Sequence, residues 1–326
     1  MKIGIVGAGH IGSEIYKQAK SFGWDIKFVL RRSGIYRDLT QKVASLESLP
    51  EYSKGLDVVF LAIPTLDDGK IALDYIQFFL GRNAGVVTCE KGALSNYFSE
   101  LEKSLSRVGY SATVGGGTRM LRFLEERTSQ RVTELHAVVN GTLNYILDEV
   151  SSGRSLGEVA EETRKLGYAE PGTENPLDVI NKEAGEDVPM KSSILFNVCR
   201  FGDERIRARD MKVYRMGENE LRKLLRESYN RRYIVSVTKD NGEEDVIGGF
   251  RHKAGEWVIS AGFKNINENP LFLQLVPRGV NNAVIVCEGK YGIAGTYRLS
   301  GQGAGAGPTT ASMIRDAMLV SQALKI

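Results

Sequence analysis

Gly7, Gly9 and Gly12 stand in the pattern GxGxxG, directly behind an apolar run over residues 2–6 and ahead of a stretch with helical spacing over 12–22. This arrangement leaves the chain few choices. A strand must enter a turn tight enough to need glycine at Gly7. A charged group must be able to approach the backbone at Gly9, and the next helix must lie close to the strand at Gly12. The unbonded N–H groups that open the helix, at His10, Ile11 and Gly12, then face an anion. In a β-α-β setting the pattern is a dinucleotide-binding turn; outside one it is three glycines in a loop.

The setting is present. Apolar runs at 2–6, 27–30, 57–63 and 85–88 read as strands, and 12–22, 68–80 and 96–108 show helical periodicity. The expected fold is α/β, a Rossmann-type doubly wound parallel sheet joined to a second α+β domain. The rhythm fades after about Val114. A strand at 134–139 leads through Asn140-Gly141 into a helix at 142–150, and a second helix follows at 156–166. After a loop with Pro171, Gly172, Asn175 and Pro176, a further helix is expected to begin near Asp187 to Pro189. The last third is β-rich, with runs at 233–238, 257–261, 271–276, 283–287 and 292–297 before a final helix at 310–324. Residues 1–130 are assigned to the dinucleotide-binding domain, completed by a C-terminal helix within 301–326, and residues 131–300 to the second domain.

Composition narrows the function classes. With 326 residues, 42% of them hydrophobic, the chain can fill about two cores. Lys plus Arg exceed Asp plus Glu by 43 − 40 = 3, with both signs interspersed, so neither a nucleic acid nor a membrane is the expected partner. The basic stretch over 205–232 is interrupted by acids, and reads as a solvated helical face before an anion site. Cys89, Cys199 and Cys287 are far apart, and His10, His136 and His252 form no ligand cluster, so no metal site is expected. No charged leader precedes an apolar segment and no apolar run is long enough to span a bilayer; the expected location is cytoplasmic.

Cofactor choice is written at the end of the second strand, where NAD enzymes place an acid for the ribose diol about 20 residues beyond the glycines. Here that place reads Leu30-Arg31-Arg32-Ser33-Gly34. Without a carboxylate to repel it, a 2′-phosphate can take bidentate contacts from Arg31 or Arg32 and a hydroxyl from Ser33, so NADP(H) is preferred, with NAD(H) as the alternative. Lys91 follows a strand at the carboxyl edge of the sheet, where open α/β folds bind ligands. Asp187 and Lys191 are four apart, acid first, and share a helix face; alone they read equally as a cap and its ion pair.

Six ordered blocks carry a resemblance. Val86 to Lys91 reads VVTCEK, Val114 to Gly117 reads VGGG, and Asn140 to Leu147 reads NGTLNYIL. They are followed by GYAE at 167–170, GEDVPMK at 185–191 and GQGAG with Pro308-Thr309 at 301–309. Together they resemble homoserine dehydrogenase, in a stand-alone form without a kinase or regulatory domain. The resemblance implies NAD(P)H-dependent interconversion of L-aspartate 4-semialdehyde and L-homoserine, in threonine and methionine biosynthesis. It makes Lys191 the proton donor and Asp187 the residue that orients it, and puts Lys91 against both substrate and nicotinamide. Glu170 receives the substrate ammonium, with Asp178 as a second acid and Asn140 and Thr142 as further substrate contacts. Pro64, Thr65, Thr88 and Gly303 join the cofactor set, and the β-rich region is implied to be a dimerisation sheet, hence a homodimer.

Departures from the family pattern are also expected to matter. The chain is longer between Glu170 and Asp187, Arg119 stands where proline is usual, and Glu90 replaces a neutral residue beside the lysine. Ser111 occupies the place of an acid in the family's monovalent-cation loop, leaving only the carbonyls of Val114, Gly116 and Thr118 as weak sodium ligands. A related dehydrogenase acting on another semialdehyde, or a catalytically silent NADP-binding regulator, are the rival readings.

Overall fold

A computed structural model describes residues 1–127, 131–166, 175–239, 246–303 and 305–324. The chain divides into two compact units, Met1–Gly117 with Gly305–Ile326, and Thr118–Ala304. Residues 118–127, which the sequence reading put with the first unit, therefore lie with the second.

The first unit holds strands β1 (Lys2–Val6), β2 (Asp25–Arg31), β3 (Gly34–Tyr36), β4 (Lys42–Ala44), β5 (Val58–Leu61), β6 (Gly85–Thr88) and β7 (Val108–Gly109). They form one sheet in the order β4-β3-β2-β1-β5-β6-β7, with β2, β1, β5, β6 and β7 parallel. β3 and β4 pair antiparallel beyond β2, an edge hairpin that periodicity did not reveal. One face packs Ile3, Ile5, Val58 and Phe60 against Ile15 and Ala19 of the helix His10–Ser21 and Met313, Ala317 and Val320 of the helix Ala306–Ala323. On that last helix, buried Asp316 accepts from the backbone N of Ser111 at 2.7 Å and from its hydroxyl at 2.8 Å. The single helix expected over 96–108 is instead two short helices, Gly92–Asn96 and Phe98–Leu101, and a 3-10 segment, Glu102–Arg107. Tyr97, at φ −132 and ψ 29, leaves helical geometry and breaks the run.

The second unit holds β8 (Val132–Val138), β9 (Val213–Tyr214), β10 (Arg231–Thr238), β11 (Val246–Ala254), β12 (Trp257–Asn265), β13 (Asn281–Glu288) and β14 (Gly295–Gln302) in one antiparallel sheet, ordered β14-β13-β8-β10-β12-β11-β9. Among these strands the short β9 was not expected, and neither was β11. Its Gly248 and Gly249 have φ of 61 and 112 and sit at a bulge between Ile247 and Phe250, so a turn-like Gly-Gly pair lies inside a strand. Conversely, the apolar run at 271–276 is a short helix, Phe272–Leu275, and not a strand. Asn269 starts the turn by accepting from Leu271 N at 2.9 Å through its side chain and from Phe272 N through its carbonyl. Leu271, Phe272 and Leu275 then cover Val138, Ile234 and Ile285 of the sheet.

The helix expected to open near Asp187 begins eleven residues earlier. Pro176–Lys182, a π-helical turn Glu183–Asp187 and Val188–Cys199 run on without a break. Pro189 explains the widened turn. It has no N–H for the carbonyl four residues back and its ring crowds that carbonyl, so the α-helical register cannot pass through it unchanged.

Candidate active site

In the first unit the glycine turn borders a cleft of ≈ 500 Å³. Val6, Gly7 and Gly9 line it on one side, Arg31 and Arg32 at the end of β2, and Ala62, Pro64 and Leu66 beyond β5. Gly7 has φ 94, and a Cβ there would stand 2.2 Å from the carbonyl oxygen of Ala62. A Cβ on Gly12 would stand 1.9 Å from the carbonyl oxygen of Gly7. By contrast, a Cβ on Gly9 would meet nothing within 4 Å, so the backbone there is open to a ligand. Gly9 precedes the helix His10–Ser21 without a side-chain cap, leaving the first N–H groups of the helix, at His10, Ile11 and Gly12, to face an anion. These features fit a pyrophosphate.

The two arginines differ. Arg31 donates to the carbonyl of Leu39 and stacks 5.0 Å over the Tyr36 ring, so its guanidinium is used within the β3–β4 hairpin. Arg32 is exposed, as is Ser33, whose hydroxyl lies 2.8 Å from that of Tyr36.

Beyond β6 the chain turns at Thr88, Cys89, Glu90 and half-buried Lys91 into the helix Gly92–Asn96. The Thr88 hydroxyl donates to Leu61 O at 3.3 Å and accepts from Glu90 N at 2.9 Å. Burial pushes the thiol of Cys89 up to about 12, away from the thiolate form that a nucleophile needs.

In the second unit, Asn140 caps the helix Gly141–Ser151, accepting from Leu143 N at 2.8 Å. The other end of its amide donates to Asp187 Oδ2 at 2.8 Å and to Glu183 Oε2 at 2.6 Å. Lys191 Nζ lies 2.7 Å from Asp187 Oδ2 and donates to Val139 O at 2.9 Å. Asn140, Glu183 and Asp187 are each at most 6% exposed, so these polar groups meet away from bulk water. An ammonium held between a carboxylate and a carbonyl is fixed in position, which suits a proton donor. Thr142 is buried in the first turn of the helix that Asn140 caps.

Several expected residues stand apart from this cluster. Asp178 is exposed in the first turn of the helix Pro176–Lys182, capped by and bonded to Asn175. The buried acid beside Asp187 is Glu183, and its signal was the recurrence of Glu183, Asp187 and Lys191 every four residues. Glu170 lies outside the described residues. Gly303 has a packing reason within the second unit, since a Cβ there would fall 2.1 Å from Asn282 Oδ1. Asn282 itself donates to Val139 O, the carbonyl that Lys191 uses. Of the proposed sodium ligands, the carbonyl of Gly116 already accepts from Ser312 Oγ at 2.9 Å. Val114 belongs with it to the first unit and Thr118 to the second, and no cluster of metal-ligating side chains occurs among the described residues. Arg119 has φ 56, a conformation closed to the proline usual at that place.

Comparison with known proteins decides the family. The family model described as homoserine dehydrogenase matches residues 120–318, more than half of the chain. The chain belongs to the homoserine dehydrogenase family. Residues 1–93 match the NAD binding domain of D-isomer specific 2-hydroxyacid dehydrogenases, and the protein is an NAD(P)-dependent oxidoreductase. Among homoserine dehydrogenases, the NAD(+)-dependent enzyme of Pseudomonas canavaninivorans is 24% identical, over 82% of this chain and 72% of its own. The crystal structure of homoserine dehydrogenase from Thermoplasma acidophilum aligns with TM-score 0.74 at 18% identity over 99% of both chains. A hyperthermophilic archaeal homoserine dehydrogenase in complex with NADPH aligns with TM-score 0.69 at 22% identity, over 97% of this chain and 96% of its own. These structures share the fold of the chain, an α/β parallel sheet of Rossmann type with an antiparallel α+β domain. No described helix is long and apolar enough to cross a membrane.

Proposed function

We propose that this member of the homoserine dehydrogenase family interconverts L-aspartate 4-semialdehyde and L-homoserine. The observation that carries the reading is the buried pair Asp187–Lys191, at 2.7 Å, held by Asn140 and Val139. Reducing an aldehyde requires a proton at the oxygen as negative charge develops there. Lys191 delivers it, and Asp187 fixes the direction of Nζ. The bound nicotinamide cofactor supplies the hydride. Lys91 polarises the carbonyl, Glu170 receives the substrate ammonium, and Thr142 contacts the substrate.

Assay of homoserine with NADP, beside a panel of other hydroxy amino acids, tests the reading through reduced-cofactor absorbance. Turnover of homoserine above the rest of the panel is expected. Turnover only with another hydroxy amino acid would transfer the chain to a related dehydrogenase, and cofactor binding without turnover would make it a silent regulator.

NADP(H) is the preferred cofactor on this reading, and Arg32 and Ser33, exposed beside the cleft, support it. Arg32→Asp is expected to raise the NADPH KM by about 10- to 100-fold, the worth of one charge-assisted hydrogen bond, while changing that for NADH much less. An unchanged ratio of the two KM values would remove Arg32 from the cofactor set. The same reading makes the second-unit sheet a homodimer interface and the cytoplasm the place of action.

A further inference from the structure

Between β5 and the helix Lys70–Leu80, Asp67, Asp68 and Gly69 follow one another at φ 49, 50 and 92. Side-chain-bearing residues rarely adopt this conformation, and a run of it persists only where the surroundings over-determine it. The surroundings here are the turn that bears Lys91. Thr65 Oγ1 donates to Glu90 Oε1 at 2.6 Å, and Asn96 Nδ2 donates to the carbonyl of Asp68 at 2.9 Å. Gly69 and Gly92 lie back to back, so that a Cβ on Gly69 would stand 2.0 Å from the carbonyl carbon of Gly92. Glu90, 2% exposed, also accepts from the N–H groups of Gly92 and Ala93. One buried carboxylate thus joins the start of the helix after Lys91 to a loop whose Pro64 and Leu66 line the cofactor cleft.

We propose that Glu90 and Thr65 are positioning residues, a latch that fixes the backbone of Lys91 to the loop lining the cofactor cleft. Cofactor affinity and the placement of Lys91 then depend on the Thr65–Glu90 hydrogen bond, beside the Asn96–Asp68 bond and the Gly69–Gly92 packing. The inference rests on the role given to Lys91 above. A neutral residue at position 90 could cap the helix, but Glu90 offers two oxygens, one shared by Thr65 and Gly92 and the other for Ala93. Glu90→Gln keeps one of these acceptors and turns an amide NH2 toward a donor. Thr65→Val keeps the shape and removes the hydroxyl donor, which Thr65→Ser restores.

The test is a titration of NADPH by fluorescence on the full chain, with kcat for homoserine measured at saturating cofactor. Thr65→Val is expected to raise the NADPH dissociation constant and lower kcat, each by about tenfold, as for loss of a hydrogen bond to a charged group. Thr65→Ser should restore both. Glu90→Gln should reproduce the Thr65→Val values, and the double variant should be no worse than either single change. Unchanged affinity in Thr65→Val overturns the latch. Weakened affinity with unchanged kcat at saturation overturns its link to Lys91, as do additive effects in the double variant. If Glu90→Gln does not fold, Thr65→Val and Thr65→Ser decide alone. The titration does not depend on turnover, so a wild-type chain inactive on homoserine removes the proposed function and leaves the cofactor half of the latch to be judged by binding.

Discussion

Lys191→Ala is expected to lower kcat by at least about a hundredfold, the ordinary share of a positioned general acid. Two effects are combined in that variant and can be separated. The side chains of Lys191 and Asp187 are only 13% and 8% exposed, and removing one partner of a buried pair leaves an uncompensated charge costing about 3–5 kcal/mol. Lys191→Ala should therefore also lower the thermal midpoint. Replacing both partners, as Asp187→Asn with Lys191→Met, removes the stranded charge and should recover most of the stability while leaving activity lost. Activity that returned with stability in the double variant would make the pair structural and reassign the acid.

Gly12→Ala carries the second large effect, on cofactor binding. The added Cβ would stand 1.9 Å from the carbonyl oxygen of Gly7, a backbone atom that no side-chain rotation can move aside. The helix His10–Ser21 must retreat from the turn, and with it the N–H groups that face the pyrophosphate. Overpacking of this kind costs about 1–3 kcal/mol, so NADPH should bind roughly 5- to 150-fold more weakly while circular dichroism retains the folded signal. Gly9→Ala is the contrasting case, because the second glycine of the same motif has open space where a Cβ would stand. A Gly9→Ala variant should fold with unaltered stability and lose affinity only through the bulk it places before the ligand. Equal affinity in Gly12→Ala and the wild type would show that the turn tolerates the separation.

The parallel half of the fold was legible because its signals are local. The glycine turn, the buried runs of β1, β5 and β6 and the helices between them each follow one period. Asp187 and Lys191 were legible for the same reason, as neighbours on one helical face. What escaped was set by partners remote in sequence. β11 tolerates Gly248 and Gly249 because β12 receives the bulge, and β12 is not visible from the Gly-Gly pair. The run at 271–276 has strand composition, but Asn269 turns it into a helix lying over the sheet. Glu183 was passed over for Asp178 because the helix was started too late. With its first turn placed at Pro176, Asp178 becomes an exposed cap partner and Glu183 comes onto the face of Asp187. Glu90 was visible only as a departure; its three donors come from the fold.

The helix Ala306–Ala323 belongs to the sheet of the first unit, yet the whole of Thr118–Ala304 precedes it along the chain. During synthesis the strands from β1 to β7 leave the ribosome long before the segment that covers Ile5, Phe60 and Val87 exists. The nascent nucleotide unit must keep that apolar surface from aggregating, while the intervening unit can already close around its own core. Asp316 reaches Ser111 across 205 residues, and the buried carboxylate makes that closing step depend on a specific pairing as well as on hydrophobic contact.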